Sequence, residues 1–233
     1  MARKTGLLRL FSGKNSSDKS SAALSTDSAT GILTGKANAG RRNLAIFASG
    51  AGSNAKKIIE YFRDSSLATV ALIVSNKADA GVLAIAKEMG IPTMVIEKEP
   101  FFRGDAYSSV LERFGIHFII LAGFLWKVPE KLIRAYPRRI INIHPALLPQ
   151  FGGKGMYGAK VHEAVLQAGE KESGITIHYV DELYDHGDII FQARCPVYPH
   201  DNPETLADRI HELEHASYPR VIADLLLPMN KPD

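Results

Sequence analysis

The chain has 233 residues, 45% of them hydrophobic and 23% charged, with one cysteine and a formal net charge of +3. That is an ordinary globular composition, and a lone Cys195 excludes an internal disulfide framework and a cysteine-clustered zinc site. The positive balance sits in residues 1–42, which hold eight lysines and arginines against two acids. The remainder is slightly acidic, at about −3, and presents no basic face for nucleic acid.

Residues 1–41 read as a disordered basic leader, because KNSSDKSSAALSTDSATG has too little apolar surface to fold alone. Arg9 interrupts the short apolar run near the start, which argues against a secretory signal, and no stretch is long enough to span a membrane. A cytoplasmic chain is expected. The leader's richness in Arg, Lys and Ser admits an organelle transit peptide as the alternative.

Residues 42–233 are expected to form a single domain. NLAIFAS (43–49) predicts a buried strand, and SNAKKIIEYFRD (53–64) a helix with Ile58, Ile59 and Phe62 on one face and Ser53 or Asn54 as its cap. ATVALIVS, IPTMVIE, HFIILAGF and RIINIHP predict four further strands. Helices in DAGVLAIAKEMG, AYSSVLERFG and PEKLIRAYP alternate with them. This is the rhythm of βαβ units and a parallel sheet with helices on both faces, a Rossmann-like α/β fold. After Pro149 the rhythm changes. A glycine-rich loop, FGGKGMYG, leads into the helix AKVHEAVLQAG. Then GITIHYV and DIIFQARCPV are spaced for antiparallel pairing, and a last helix spans about 202–227.

Three phosphate sites compete for the turn FASGAGSNA (47–55). A Walker loop needs a lysine directly after its last glycine, and Gly52 is followed by Ser53. A dinucleotide site needs an acid at the end of the second strand, which instead ends Ser75-Asn76-Lys77. The simplest ligand is one phosphate at a helix N-terminus, against the plainer alternative of a tight turn that binds nothing. Asn142 and His144, two apart in NIHPALLP, point to the same side of a strand near its carboxyl end, where open α/β sheets place their crevices. An imidazole there can carry a proton and an amide can donate to an oxyanion, although a satisfied pair of core groups would look the same. DELYDHGD gathers four acids and a histidine in a turn that composition alone assigns to solvent. The histidines form no compact metal motif, HELEH has the wrong order for a metalloprotease, and Gly-x-Ser-x-Gly is absent.

FASGAGSN, SNKADA, LAGF, NIHPALLP and DELYDHGDII, in this order and spacing, resemble the phosphoribosylglycinamide formyltransferase family across about 43–227. NIHPxLLP is common to the wider folate-dependent formyltransferase group, and SGxGSN with SNKADA narrows the resemblance. The resemblance implies a formyltransferase fold with mixed C-terminal strands. It implies transfer of the formyl group of 10-formyltetrahydrofolate to the amine of glycinamide ribonucleotide, with no metal. Asn142, His144 and Asp185 correspond to the family's catalytic trio. Gly50, Ala51, Gly52, Ser53 and Asn54 correspond to its phosphate loop, and Glu214 to the glutamate that contacts the ribose. Arg103, Leu125, Trp126, Lys127, Val128, Val180, Asp181 and Glu182 correspond to its folate side. The implied partners are the two substrates, with neither nucleic acid nor membrane, in a monomer or homodimer. Trp126 stands where many relatives have arginine, His186 replaces a common glycine, and FGGKGMYG is longer than in many members. Formyltetrahydrofolate hydrolases share the trio but carry a folded regulatory domain ahead of it, and methionyl-tRNA transformylases carry a C-terminal nucleic-acid-binding domain. Neither is expected in this sequence, and an intact trio argues against a nucleotide binder without chemistry.

Overall fold

Alternation along 44–48 sends Leu44, Ile46 and Ala48 into one apolar cluster and Ala45 and Phe47 into another. All five are buried, so this strand is covered on both faces, as a central strand of a parallel sheet has to be. In the computed structural model, which describes residues 24–25 and 40–227, the elements follow in chain order. They are β1 (Leu24–Ser25), β2 (Arg42–Phe47), α1 (Ser53–Phe62), β3 (Ala68–Ser75), α2 (Gly81–Glu88), β4 (Thr93–Val95), α3 (Lys98–Arg103) and α4 (Ser108–Arg113). After these come β5 (Ile116–Leu121), α5 (Glu130–Ala135), β6 (Ile140–His144), α6 (Ala159–Gln167), β7 (Glu172–Tyr179), β8 (Ile189–Pro196) and α7 (Pro203–Leu226). Most of the expected leader lies outside the described residues. Leu24–Ser25 pairs antiparallel with β4, and Arg41 donates to the carbonyls of Ala68 (2.9 Å) and Phe62 (3.2 Å).

The described strands form one sheet in the order β1-β4-β3-β2-β5-β6-β7-β8. β4, β3, β2, β5 and β6 are parallel, and β7 and β8 are antiparallel to their neighbours, as the change of rhythm after Pro149 implied. The chain winds outward from β2 to β4 and then returns to β5 on the other side of β2, so the order reverses between β2 and β5. Such a switch point opens a crevice beyond the carboxyl ends of both strands. The loops there are stitched together: Ser49 N donates to Gly123 O at 3.0 Å, and Leu125 N donates to Ser49 Oγ at 2.9 Å.

Two apolar layers cover the sheet. One contains Ile58 and Phe62 of α1, Val82 of α2, Val165 of α6 and Leu206, Ile210 and Ile222 of α7. The other contains Phe101, Leu111 and Leu132 from α3, α4 and α5. Helix α7 starts at a reciprocal cap, in which Asn202 Oδ1 accepts from Thr205 N (2.9 Å) and Thr205 Oγ1 accepts from Asn202 N (3.0 Å). Its buried Tyr218 hydroxyl donates to Leu121 O at 2.9 Å, fixing the helix across the end of β5. Glu214, one turn earlier on the same face, is thereby held against α1.

His162 of α6 is buried, and its Nδ1 has no hydrogen-bond partner. Burial first, then the nearby His211 and His144, push its pKa from 6.5 down to about 4. Between those values the unfolded chain binds a proton that the folded chain resists, so stability falls as the pH drops from 6.5 toward 4. Thermal melts at pH 7.5 and 4.5 should therefore show a smaller acid loss of Tm in His162→Leu than in the wild type. Equal losses would contradict the assignment.

Candidate active site

Gly52, at φ 85° and ψ 25°, is the N-cap of α1, so neither Ser53 nor Asn54 caps the helix as expected; Ser53 is its first residue. The reason is steric. The chain turns through a left-handed conformation that glycine adopts readily, and a Cβ on Gly52 would lie 2.7 Å from Val82 Cβ. No side chain caps α1 and no acid stands in its first turn, so its unpaired amides and the positive end of its dipole face the crevice. Gly50, Ala51 and Ser53 are exposed around this end. That is the composition of an anion site.

Asn54 points from this loop to α7, its Nδ2 donating to Glu214 Oε2 at 2.7 Å. Burial raises the Glu214 pKa, and the Asn54 hydrogen bond and the charge of His211 oppose the rise. Asn54 Oδ1 is buried with no partner in the protein. The predicted phosphate loop and the predicted ribose contact, 160 residues apart, thus meet through one hydrogen bond.

The second locus is built on β6. Ile141 and Ile143 enter the core, and the alternate residues are Asn142 and His144. Across the antiparallel register, Asn142 faces His178 and His144 faces Thr176. The β7–β8 loop leaves the sheet beside Ile140, whose carbonyl accepts from Val180 N, and folds back over β6. Its base is tight: Tyr179 N donates to Asp188 O at 2.9 Å, and a Cβ on Gly187 would overlap the Tyr179 carbonyl. Arg138 pairs with Asp188 at 2.7 Å and lies 4.2 Å over the Tyr179 ring. At the tip Asp185 adopts φ 54°, a left-handed turn that aspartate tolerates better than most side chains.

This turn brings the three predicted residues together. Asp185 Oδ2 lies 3.5 Å from His144 Nδ1, and Asp185 Oδ1 accepts from Asn142 Nδ2 at 3.4 Å. The glycine-rich loop supports both ends of the pair. Gly153 N donates to Asp185 Oδ2 at 2.9 Å, and the Phe151 carbonyl takes the proton of His144 Nε2 at 2.8 Å. Because a carbonyl only accepts, Nε2 carries the proton, and Nδ1, facing Asp185, is the basic atom. Burial lowers the His144 pKa below 6.5, and Asp185 and the Phe151 carbonyl only partly restore it. The ring therefore rests neutral at pH 7, not protonated. Burial pushes Asp185 upward, but the His178 and His144 rings, through their protonated forms, and the hydrogen bond from the Gly153 amide outweigh it, leaving the carboxyl below its ordinary 3.8.

His178 belongs to the same cluster. Its Nδ1 donates to the Tyr179 carbonyl at 2.9 Å, so its Nε2 accepts from Asn142 Nδ2 at 3.1 Å and turns the amide toward Asp185. The residues corresponding to the family's folate side lie around two segments. Leu125, Trp126, Lys127 and Val128 follow β5, and Val180, Asp181 and Glu182 open the Asp185 loop. Val128 is buried in the α3–α5 layer, with Trp126 and Val180 packed against it. Arg103 ends α3 and is exposed. Asp181 Oδ2 pairs with His186 Nδ1 at 2.9 Å, bracing the loop from within. Among the described residues, no group of His, Cys, Asp or Glu is arranged to hold a metal ion.

Residues 42–222 match the formyl transferase family. The chain belongs to that family. Within it, the chain is 39% identical over 190 residues to phosphoribosylglycinamide formyltransferase of Bacillus subtilis, covering 79% of this chain and 95% of that protein. It is 47% identical over 188 residues to the chloroplastic phosphoribosylglycinamide formyltransferase of Arabidopsis thaliana, covering 78% of this chain and 64% of the relative. The chain thus spans less than two thirds of that plant protein. The solved phosphoribosylglycinamide formyltransferase of Anaplasma phagocytophilum superimposes with a TM-score of 0.74 at 36% identity, over 80% of this chain and 87% of that one. The mixed sheet expected from the sequence is the fold of these formyltransferases.

Removing the Asn54 amide would leave the buried Glu214 carboxylate without its donor. Asn54→Ala should cost about 1–3 kcal/mol of unfolding free energy at pH 8. The cost should be smaller at pH 5, because burial raises the Glu214 pKa and a carboxyl that gains protons as the pH falls loses less with its donor. Denaturant melts at the two pH values measure this, and a cost independent of pH would contradict it.

Proposed function

We propose that the chain transfers the formyl group of 10-formyltetrahydrofolate to the amine of glycinamide ribonucleotide, giving N-formylglycinamide ribonucleotide in purine synthesis. The observation that carries the reading is the meeting of Asn142, His144 and Asp185 at the carboxyl end of β6, on the same edge of the sheet as the uncapped start of α1 that follows β2. A substrate bearing a phosphate at one end and a nucleophilic amine at the other fits that division. The phosphate would take the amides around Gly50–Asn54, and the ribose hydroxyls would meet Glu214 and the unpartnered Asn54 Oδ1.

In this mechanism the glycinamide amine attacks the formyl carbon, forming the new C–N bond and placing negative charge on the former carbonyl oxygen. Asn142 stabilises that oxygen. Its 3.4 Å contact with Asp185 is the weaker of its two hydrogen bonds, so an oxyanion replaces it at small cost. His144, neutral at rest, takes the proton lost by the attacking amine. The imidazolium so formed lies 3.5 Å from the Asp185 carboxylate, which stabilises it. The proton then passes to N10 of the folate as the C–N10 bond breaks, and the enzyme returns to its starting state. No covalent enzyme intermediate is needed.

The test is to incubate the protein with 10-formyltetrahydrofolate, with and without glycinamide ribonucleotide, and follow loss of the formyl group. Loss that requires the ribonucleotide is expected. Loss without it would make the protein a hydrolase, and no loss in either case would leave only binding. Asp185→Asn should lower kcat by at least about 10²-fold, in the range of general acid–base groups, with the ribonucleotide Kd changed less than about threefold. Near-wild-type turnover of that variant would contradict the role of Asp185.

A further inference from the structure

His144, Thr176 and Gln192 form one row across three strands, because the register sets His144 opposite Thr176 and Thr176 opposite Gln192. Gln192 lies on β8, the last strand of the sheet, and is half-buried, whereas Thr176 is wholly enclosed. The row forms a clasp on the chain that leaves β6. Gln192 Nε2 donates to Leu148 O at 3.0 Å and to Thr176 Oγ1 at 2.9 Å, which uses both hydrogens of the amide. The Thr176 hydroxyl donates to Ala146 O at 2.7 Å and accepts from Leu148 N at 3.0 Å. Both backbone polar groups of Leu148 are thus held by side chains of the neighbouring strands. Leu148 in turn supports the loop around His144 and Asp185: a Cβ on Gly152 would overlap Leu148 Cδ2 and lie 3.3 Å from Asp185 Cβ. Phe151, three residues after Leu148, adopts φ 56°, a left-handed conformation that its surroundings have to impose on a phenylalanine.

We propose that Gln192 is a positioning residue that sets which nitrogen of His144 carries the proton. This rests on the formyl-transfer reading above, in which Nδ1 of His144 is the base. Two acceptors face the neutral ring and compete for its single proton. The Phe151 carbonyl lies 2.8 Å from Nε2, and the Asp185 carboxylate lies 3.5 Å from Nδ1. The carboxylate is the stronger acceptor by charge, so only position can offset its advantage. The short contact to Phe151 keeps the proton on Nε2 and leaves Nδ1 able to accept another. If residues 148–151 drew back, the ring would protonate at Nδ1, donate to Asp185 and lose its basic atom on that side. Gln192 opposes this by holding the Leu148 carbonyl, at the start of that segment. It acts on the ring only through Leu148 and Phe151.

Gln192→Met removes both donors at nearly constant length and volume. At pH 8 it should lower kcat about ten- to hundredfold, as a small displacement of a reacting group does, with both substrate KM values within about twofold of the wild type. The deciding signature is the nitrogen NMR spectrum of the His144 ring at the same pH. The wild type should show a protonated Nε2 and an unprotonated Nδ1, and in Gln192→Met the two signals should converge or exchange character. Gln192→Glu, ionised at pH 8 and then without a donor, should do the same, and it decides the matter if Gln192→Met fails to fold. A variant with a lowered Tm but the wild-type nitrogen pattern would make Gln192 a structural hydrogen bond and overturn the proposal. An unchanged kcat, or a wild-type ring protonated at Nδ1, would overturn it equally. The spectrum does not depend on turnover. Absence of formyl transfer by the wild type would remove the parent reading, and the nitrogen signals would still decide whether Gln192 sets the protonated atom.

Discussion

The site depends on the antiparallel pairing of β7 with β6. Its register sets Asn142 opposite His178 and His144 opposite Thr176, and a slip of one residue would turn each of these side chains to the other face. Thr176 then ties down the chain leaving β6: its hydroxyl donates to Ala146 O at 2.7 Å and accepts from Leu148 N at 3.0 Å. The same pairing starts the β7–β8 loop beside Ile140, at the far end of β6 from His144. The loop must fold back to reach the His144 end, and the left-handed Asp185, the closely packed Gly187 and the Arg138–Asp188 pair make that reversal.

Electrostatics at the site is a competition in which burial prevails at His144 and loses at Asp185. His144 is almost wholly enclosed, so its charged form loses more from desolvation than the Asp185 carboxylate returns. Asp185 is surrounded by two imidazole rings and the Gly153 amide and stays ionised. The resting pair is therefore a neutral base beside a carboxylate. The base acquires its charge only when a proton arrives, and the stabilising partner is then already in position.

Much of this could be read from the sequence because it rests on local rules. Period-two burial and regular helix spacing gave the parallel half. The spacing of Asn142 and His144 put both on one side of β6. What was missed depends on residues distant in the chain. His178 was one histidine among eight until strand pairing set it opposite Asn142. The glycine-rich loop gave no sign that its Phe151 carbonyl and Gly153 amide would hold His144 and Asp185. The cap of α1 was misassigned because Ser53 and Asn54 are good caps by type, whereas the close approach of Val82 requires glycine at 52. The short α3 escaped because six residues with an internal Pro100 carry too little periodicity to announce a helix.

The central claim, that the β6–β7 register delivers Asp185 to a buried and neutral His144, is tested most directly by titrating the His144 side chain. Isotope-edited NMR, with the resonance assigned through a His144 variant, gives its pKa in the wild type and in Asp185→Asn. The predicted wild-type value lies below the ordinary 6.5, because burial dominates, and it falls further in Asp185→Asn, because the carboxylate that partly restores it is gone. A wild-type value above 6.5, or one that Asp185→Asn leaves unchanged, would contradict the account.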